Sequence, residues 1–313
     1  MRDMPQPKVV ILATGGTIAG LSADPARVVD YEVAALSADS LVAAVPALRD
    51  ERLEVKQVAQ IDSKDMDHAT WLQLALRIDK HLRRPDVCGL VITHGTDTLE
   101  ETAYFLHRVL SPRKPVVLTA AMRPANALLA DGPQNLLDAV RLAQSHGRGV
   151  LACLLGRVYA PDDVRKVNGC DLDAFRSGGD GVIGRLVDGQ LQRVREWPRC
   201  EALGCEWLPL DPESWPSVAL LYSHAGVHPS TVEALLASGI DGLVVAGTGN
   251  GTVHSALMPS LRRAMEQGLA VCRASRCSEG GVVGAGNLPA FGRLSPMQSR
   301  IELMLQLMNP LRR

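Results

Sequence analysis

Residues 89–98, with the sequence GLVITHGTDT, decide the fold, because a short apolar run there ends in a tight polar turn. An earlier stretch, residues 9–20 (VVILATGGTIAG), shows the same change from an apolar run to a turn. Ligands of an open parallel sheet bind beyond the carboxyl ends of its strands, so we expect both turns to face one pocket. The hydroxyls of Thr17 and Thr96 and the carboxylate of Asp97 would line that pocket, a set that favours nucleophilic attack on a carbonyl.

Short apolar runs alternate with amphipathic segments along the chain, which is the pattern of βα units around a mostly parallel sheet. Strands are predicted at residues 9–13, 53–59, 89–93, 115–119, 150–155, 217–222, 242–246 and 270–274. Residues 181–194 alternate with a period of two around Asp188-Gly189, which predicts a β-hairpin. Residues 196–215 lack periodicity and are expected to link an N-terminal catalytic α/β domain, residues 1–195, to a smaller C-terminal α/β domain, residues 216–313.

Several residues have both a structural and a catalytic interpretation. The spacing of a capping box predicts two helix starts, Thr98 with Glu101 and Ser230 with Glu233. A threonine ahead of a helix can be an N-cap and nothing more, and this interpretation stands beside the catalytic one for Thr17 and Thr96.

A threonine hydroxyl becomes a nucleophile only beside a base. Asp97 is a weak base, but a carboxylate can orient a lysine whose pKa has been lowered by burial. Lys166, in the sequence DVRK after the fifth predicted strand, is the candidate for that base, and a polar loop is expected there. The alternative is an ordinary surface lysine.

The glycines of the first turn also allow two interpretations. The backbone N–H groups of Gly15 and Gly16 can hold a negative oxygen of a ligand at a helix start. They can instead cradle a nucleotide phosphate, although the spacings GxGxxG and GxxxxGK[ST] are absent from this stretch of the sequence. Ser63, after the second predicted strand, and His94 are further candidates for pocket-lining groups, with a cap and a structural hydrogen bond as their respective alternatives.

Composition argues against several classes of protein. The net charge is −1 over 313 residues, so no overall field attracts nucleic acid or an anionic membrane. Seven cysteines without a CxxC pair favour reduced thiols, with Cys200/Cys205 and Cys272/Cys277 as alternative bridges or metal ligands. No run approaches the roughly 18 apolar residues of a membrane span, and the N-terminus lacks a signal-peptide pattern. We therefore expect a cytoplasmic protein that needs no metal and no cofactor.

Residues 11–20 and 91–103, ILATGGTIAG and VITHGTDTLEETA, closely resemble the two signature motifs of bacterial-type L-asparaginases. Four shorter stretches match the same family: AMRP at residues 121–124, DGPQNL at 131–136, VVAGTGNG at 244–251 and SR at 275–276. The resemblance runs from about residue 8 to the C-terminus. It implies a larger N-terminal and a smaller C-terminal α/β domain. It also implies a homotetramer, a dimer of dimers, whose sites each combine one subunit's N-terminal domain with its neighbour's C-terminal domain.

The resemblance implies hydrolysis of L-asparagine to L-aspartate and ammonia by a threonine nucleophile, with some activity on L-glutamine as an open question. By motif, Thr17 matches the nucleophile and Tyr31 the tyrosine that assists it, and the motifs leave open which threonine carries the acyl group. A second catalytic set is matched by Thr96, Asp97 and Lys166. The substrate-binding residues expected are Gly16, Ser63, Thr96, Asp97, Asn250 and Glu279, with Asn250 supplied across the subunit interface.

Two departures from the family pattern bear on specificity. Lys64 follows Ser63 where the family usually has a glutamine or an acidic residue, and its charge would repel a substrate ammonium unless the side chain points outward. Residues 277–292 resemble a shortened form of the family's loop, in which only Glu279 offers a carboxylate for that ammonium. Modest affinity for asparagine is expected if both departures are real. An enzyme of the same architecture with another amide substrate, such as a transamidation subunit, and a non-catalytic sensor are the alternatives.

Overall fold

The computed structural model describes residues 7–308, which divide into two compact units. The larger unit runs to Ser177 and includes Gly181–Cys205, and the smaller unit comprises Gly178–Asp180 and the chain from Glu206 onward. The strands of the larger unit are β1 (Lys8–Gly15), β2 (Leu53–Ile61), β3 (Val87–Thr93), β4 (Pro115–Thr119), β5 (Gly149–Leu154), β6 (Arg157–Tyr159), β7 (Val164–Lys166), β8 (Phe175–Ser177), β9 (Gly184–Val187) and β10 (Gln190–Arg193). Its helices are α1 (Ala38–Ala43), α2 (His68–Leu82), α3 (Leu99–Val109) and α4 (Gly132–Gln144).

The main sheet of the larger unit, within the described residues, has the strand order β10-β9-β6-β5-β4-β3-β1-β2. The neighbours from β5 to β2 pair in parallel, whereas β6, β9 and β10 pair antiparallel. A separate antiparallel ribbon joins β7 to β8. Because β1, β2 and β3 are parallel neighbours, the turns that follow them lie at the same end of the sheet.

The parallel strands carry continuous apolar sequences because helices cover both faces of such a sheet. Val9 and Val91 of the strands belong to one buried cluster with Leu136 and Val140 of α4. Burying a side chain of this size stabilises the fold by roughly 1.5–3 kcal/mol. This packing fixes the strand ends and therefore the turns beyond them.

The smaller unit repeats the βα rhythm around a parallel sheet of order β11-β12-β13. Its elements are β11 (Val218–Tyr222), α5 (Ser230–Ala237), β12 (Gly242–Gly247), α6 (Met258–Glu266), β13 (Ala270–Ser275) and α7 (Pro296–Met308). A core of its own gathers Leu243, Val245 and Leu261, all fully buried. Within residues 7–308, no helix is both long enough and apolar enough to cross a bilayer.

The predicted α/β class, with a large mostly parallel sheet and a smaller C-terminal α/β unit, is confirmed. The predicted hairpin is confirmed as well, with β9 and β10 pairing around Asp188-Gly189. The boundary between the two compact units falls after Cys205, inside the segment of residues 196–215 that the sequence suggests as a linker.

Three local predictions are wrong. Thr98 does not cap α3 with its side chain, because its hydroxyl donates to the carbonyl oxygen of Ser63 at 2.8 Å. Ser230 is the first residue of α5 and Pro229 occupies the N-cap, so no capping box forms there. Lys166 ends strand β7 rather than lying in a loop.

Candidate active site

Three turns meet at the carboxyl end of the parallel strands. Gly16, after β1, has φ +82°, and a Cβ there would lie 2.4 Å from the Cα of Gly95. A Cβ on Gly95, after β3, would lie 2.3 Å from the Oγ of Ser63, which follows β2. Glycine is therefore required at both positions for the turns to touch. Thr17 directly follows Gly16 and Thr96 directly follows Gly95, so the contact between the two glycines places the threonines on adjoining turns.

Thr17 lies directly after β1, in a short 3-10 turn, and is 8% exposed. Its Oγ1 atom is 2.7 Å from the hydroxyl of Tyr31, so the two hydroxyls share a hydrogen bond. Tyr31 thus supplies a polar partner through which a proton of the Thr17 hydroxyl can move.

The loop that carries Tyr31 is closed on itself and pinned to a neighbouring turn. Leu21 and Glu32 exchange backbone hydrogen bonds of 2.9 and 2.8 Å across the base of the loop. Asn126 accepts from the N–H of Ser22 at 2.9 Å and donates to its carbonyl oxygen at 2.7 Å. These contacts set the position of Tyr31 relative to Thr17.

Thr96 lies on the second turn, is 5% exposed, and has a basic partner of its own. The Nζ atom of Lys166 is 2.9 Å from Thr96 Oγ1 and 2.5 Å from Asp97 Oδ1. The Lys166 side chain is 15% exposed, whereas that of Asp97 is 53% exposed. The three groups form a continuous path for a proton between a sheltered hydroxyl and an open carboxylate.

Ser63 occupies the third turn and joins it to the second. Its buried Oγ accepts from the backbone N–H of Asp97 at 3.3 Å. The Ser63 hydroxyl and the exposed edge of the Asp97 carboxylate are the polar groups available here to a small zwitterionic ligand. The alternative role of Ser63 as a helix cap is not what is seen, because Asp62 caps the 3-10 turn that Ser63 begins.

The charge of Lys64 is paired with two carboxylates. Its Nζ lies 2.7 Å from Asp62 Oδ2 and 3.1 Å from Asp65 Oδ2, with the side chain 62% exposed. The hydrogen bond that Lys64 Nζ donates to Asp62 is the largest of the effects that raise the pKa of Lys64. The positive charge is therefore compensated locally and does not stand alone beside Ser63.

Substituting Lys64 with methionine should leave the KM for L-asparagine, the substrate that the motif resemblance implies, within about twofold of wild type, because Asp62 and Asp65 already compensate the Lys64 charge. Steady-state kinetics of the purified variant give the value. A markedly lower KM in the variant would instead mean that Lys64 repels the substrate ammonium.

His94 acts as a structural residue beneath the second turn. Nδ1 of its fully buried ring is 2.7 Å from the carbonyl oxygen of Gly95, and Nε2 is 2.9 Å from Thr102 Oγ1. Burial lowers the pKa of His94 to about 4, so the ring is neutral. Since a carbonyl only accepts, Nδ1 carries the proton, and the hydroxyl of Thr102 donates to Nε2 while accepting from Trp71 Nε1 at 2.9 Å. This series of hydrogen bonds, from Trp71 through Thr102 and His94, holds the Gly95 carbonyl in place. Both ring nitrogens of His94 therefore have partners inside the protein.

Glu100 and Arg165 lie behind Lys166, and motif reasoning overlooked both. Glu100 Oε2 accepts from the backbone N–H of Lys166 at 3.1 Å. Desolvation raises the pKa of Glu100 to about 7, although the nearby charge of Arg165 opposes the shift. Burial also lowers the pKa of Arg165. A titratable carboxyl therefore supports the residue that bonds to Thr96.

The raised pKa of Glu100 has a consequence for stability. Between its ordinary pKa and a pKa of about 7, the folded state holds a proton that the unfolded state has lost, so stability falls as pH rises through this window. The loss is about 3–4 kcal/mol and is complete above the folded-state pKa. Glu100→Gln keeps an acceptor for Lys166 but does not titrate. Denaturant unfolding at a series of pH values should show the stability difference between variant and wild type growing up to neutral pH; a constant difference would contradict the assignment.

The backbone N–H of Gly16 is not available as the expected oxyanion donor, and the wider expectation that Gly16 binds substrate stays a prediction. The N–H of Gly16 donates to the carbonyl oxygen of Ile61 at 2.9 Å and is therefore occupied. Gly16 shapes the site through its positive φ and its contact with Gly95.

Asn250 and Glu279 belong to the smaller unit. The side chain of Asn250 pairs with the backbone of Val283, accepting from its N–H at 2.7 Å and donating to its carbonyl at 2.8 Å. Arg273 donates to the carbonyl oxygen of Asn250 at 2.9 Å. Glu279 is exposed in the segment between β13 and α7. Asn250 thus has a fixed orientation, and Glu279 is open to solvent.

The stretches AMRP and DGPQNL serve the scaffold. The carboxylate of Asp131 accepts from the N–H groups of Met122 and Arg123 at 2.9 and 3.0 Å. The buried amide of Asn135 donates to Asp131 and to the carbonyl of Ala120, and it accepts from the N–H of Leu155. These two side chains satisfy backbone groups of the turn that leads to Asn126.

All seven cysteines are free thiols. Over residues 7–308, no group of three or more His, Cys, Asp or Glu side chains is arranged to hold a metal ion.

The fold and the site together describe an α/β protein with two threonine hydroxyls, a lysine and a carboxylate at the carboxyl end of its parallel sheet. Comparison with known proteins shows to which family the chain belongs. A family model described as asparaginase, N-terminal, matches residues 8–199, and one described as glutaminase/asparaginase C-terminal domain matches residues 217–312. This protein belongs to the asparaginase family.

Individual relatives cover most of the chain. L-asparaginase 2 of Escherichia coli is 38% identical over 96% of this chain and 89% of its own length. A glutaminase-asparaginase of Pseudomonas fluorescens is also 38% identical, over 88% of this chain and 77% of its own length. The crystal structure of a probable cytoplasmic L-asparaginase from Campylobacter jejuni is similar with a TM-score of 0.91 and 36% identity, covering 97% of this chain and 96% of that one.

Proposed function

We propose that this protein is an L-asparaginase that hydrolyses L-asparagine to L-aspartate and ammonia and also accepts L-glutamine to some extent. The observation that carries the proposal is the pair of sheltered hydroxyls on adjoining turns, Thr17 with Tyr31 and Thr96 with Lys166 and Asp97. Relatives named as L-asparaginases and glutaminase-asparaginases support the choice of substrates.

In the proposed reaction, a threonine hydroxyl attacks the side-chain amide carbon while its proton passes to the neighbouring polar group. Backbone N–H groups of the two turns other than that of Gly16 would stabilise the oxyanion, a contribution of about 10²–10³ in rate per donor. The proton removed from the threonine then passes to the amide nitrogen, the C–N bond breaks to release ammonia, and an ester of the threonine remains. Attack by water then releases aspartate and restores the hydroxyl.

Thr17 is the nucleophile in this proposal, and Tyr31 relays its proton, accepting it from Thr17 Oγ1 while the phenol proton of Tyr31 moves on toward the leaving nitrogen. Lys166, bonded to Thr96 Oγ1 and Asp97, supplies the second proton path, which can activate the water that cleaves the ester. Thr96 is the alternative nucleophile. Mass spectrometry of the quenched enzyme would find the aspartyl adduct on one or the other.

Ser63 and Asp97 are proposed to bind the α-carboxylate and α-ammonium groups of the substrate. The buried Ser63 hydroxyl can donate to a carboxylate, and the exposed part of Asp97 can accept from an ammonium. Asn250 of the partner subunit, with Glu279 of the partner subunit, would complete the site in a homotetramer. Under this scheme residues 1–195 form the catalytic domain and residues 216–313 complete the neighbouring site.

The first experiment measures ammonia release from L-asparagine and L-glutamine by wild type, Thr17→Ala, Thr96→Ala and the conservative Thr17→Ser. We expect wild-type release that both alanine variants abolish and that Thr17→Ser partly retains. Absence of release from either amide by a folded wild-type sample would overturn the proposal, and the relative rates rank the two substrates.

Subunit mixing tests the shared site. Thr17→Ala and Asn250→Ala are each expected to be inactive, but subunits dissociated together and reassembled should regain part of the activity, because some sites would receive both intact residues. A mixture that stays inactive although mixed oligomers form would contradict sharing. Sedimentation analysis of wild type tests the tetramer.

We also propose a cytoplasmic location. The support is the similar protein from Campylobacter jejuni, described as a probable cytoplasmic enzyme, although a relative in Haemophilus influenzae is named as periplasmic. Cell fractionation with an antibody against this chain decides between the two compartments.

A further inference from the structure

A cavity of about 490 Å³ opens in the larger unit away from the threonines. Residues just before β4 and β5, together with Arg193 at the end of β10 and residues 196–200 after the hairpin, line it. We propose that this cavity binds a small anion that carries several phosphate groups.

The charge of the cavity is the first argument. Arg113, Arg148, Arg193 and Arg199 line it, with Glu196 as the carboxylate among the lining residues. Arg193 pairs with Glu196 at 3.5 Å. Within residues 7–308, the guanidinium groups of Arg113, Arg148 and Arg199 have neither a hydrogen bond nor an ion pair with a protein side chain or carbonyl. Three exposed arginine residues without a partner for their charge among the described residues therefore line one concave surface.

Arg193 is held in place by more than its ion pair. Its guanidinium carbon lies 5.3 Å from the centroid of the Trp197 ring, within the range of a cation–π contact. Trp197 packs against the main core of the larger unit. One wall of the cavity thus combines a ring packed on the core with a cation over its face.

The position of the cavity separates it from the proposed catalytic site. The strands β1, β3, β4 and β5 run in the same direction, and Thr17 and Thr96 follow the carboxyl ends of β1 and β3. The cavity lies at the amino ends of β4 and β5, where Pro112 and Gly149 line it. A strand of five to seven residues spans roughly 17–23 Å, so the cavity is at the far end of the sheet.

The ligand class follows from the donors and the volume. Planar guanidinium groups form paired hydrogen bonds with phosphate oxygens, and several of them favour an anion with several charges. Cavities of roughly 300–1,000 Å³ accommodate whole small molecules. The cavity therefore fits a polyphosphate or a nucleoside triphosphate better than one inorganic phosphate, and the common feature of these two ligands is the phosphate chain.

Isothermal titration calorimetry at constant ionic strength tests the proposal with four probes: tripolyphosphate, ATP, inorganic phosphate and citrate. We expect tripolyphosphate to bind with a Kd below about 1 mM, and inorganic phosphate and citrate to bind at least about tenfold more weakly. Equal binding of tripolyphosphate and ATP assigns recognition to the phosphate chain, and tighter ATP binding adds a contact with the nucleoside. Citrate as tight as tripolyphosphate, or no binding of either polyphosphate, would overturn the proposal.

The variant Arg113→Gln/Arg148→Gln removes two of the uncompensated charges and should weaken tripolyphosphate binding by at least about tenfold, since two sets of charge-assisted hydrogen bonds to the anion are lost. The matched control Arg49→Gln/Arg262→Gln changes the net charge equally at exposed positions outside the cavity. An equal loss in both double variants would mean general charge attraction and would overturn the site. Thermal melting checks that both variants are folded.

Cys200 gives a second readout in the unmodified protein. It lines the cavity, and its Sγ accepts a hydrogen bond from Arg108 at 3.0 Å. Tripolyphosphate should slow maleimide labelling of Cys200, measured by peptide mass spectrometry, while Cys170 and Cys277, which are exposed elsewhere, keep their rates. Unchanged labelling of Cys200 at saturating tripolyphosphate would place the anion outside the cavity and contradict the proposal.

Discussion

Replacing Lys166 with methionine is expected to lower the kcat for L-asparagine hydrolysis by about 10²–10⁴-fold, the range of general acid–base catalysis. Methionine keeps an unbranched side chain but removes the ammonium that lies 2.9 Å from Thr96 Oγ1 and 2.5 Å from Asp97. The KM should change less than kcat, because Ser63 and the exposed part of Asp97, rather than Lys166, are the proposed substrate contacts. Steady-state ammonia release gives both parameters.

A matched control separates loss of this contact from loss of a lysine. Lys80 is exposed on α2, and Lys80→Met should keep kcat within about twofold of wild type, as surface substitutions usually do. Comparable melting temperatures would show that Lys166→Met is folded. A kcat near that of wild type for folded Lys166→Met would remove Lys166 from the proposed mechanism.

Asn135→Ala is expected to reduce the free energy of unfolding by about 2–4 kcal/mol, because several backbone and side-chain groups lose their partner at once. The amide now bonds to the carbonyl of Ala120, the carboxylate of Asp131 and the N–H of Leu155 at 2.9, 3.1 and 2.9 Å. Alanine satisfies none of the three. Denaturant unfolding followed by circular dichroism measures the change.

Asn287→Ala is the control for this prediction. Asn287 is exposed in the smaller unit, so its replacement should change stability by no more than about 0.5 kcal/mol. If Asn135→Ala is no more destabilising than Asn287→Ala, the hydrogen bonds of Asn135 do not carry the stability assigned to them.

Strands and the turns that follow them can be predicted from the sequence where a local pattern of residues is compatible with only one kind of element. The apolar runs at residues 9–13 and 89–93 fill a sheet buried on both faces, so their identity as strands follows from composition alone. Neighbouring parallel strands end at the same edge of the sheet, and therefore the sequence alone predicts that Thr17 and Thr96 lie on adjoining turns. The glycines that permit this contact were visible too, although not their exact partners.

Contacts between residues far apart in the chain could not be predicted in the same way. Glu100 supports Lys166, which is 66 residues away, and Asn126 pins Ser22, which is 104 residues away. No periodicity or motif specifies such pairs. The wrong prediction of a capping box at Thr98 has a similar origin. A capping box requires a hydrogen bond within the helix's first turn, whereas the Thr98 hydroxyl donates to the carbonyl oxygen of Ser63, 35 residues away. The N–H of Gly16 likewise serves Ile61.

The anchoring of the Tyr31 loop has a consequence for how the protein would lose activity. Asn126 joins that loop to the turn whose N–H groups the Asp131 carboxylate holds. Separating the loop from this turn breaks the two hydrogen bonds between Ser22 and Asn126 and the backbone bonds from Ala125 and Leu128, far fewer than melting the sheet would break. Amide hydrogen exchange in residues 20–35 would then report local opening at a free-energy cost below that of global unfolding. Activity is therefore expected to fall on warming while the main sheet is still folded.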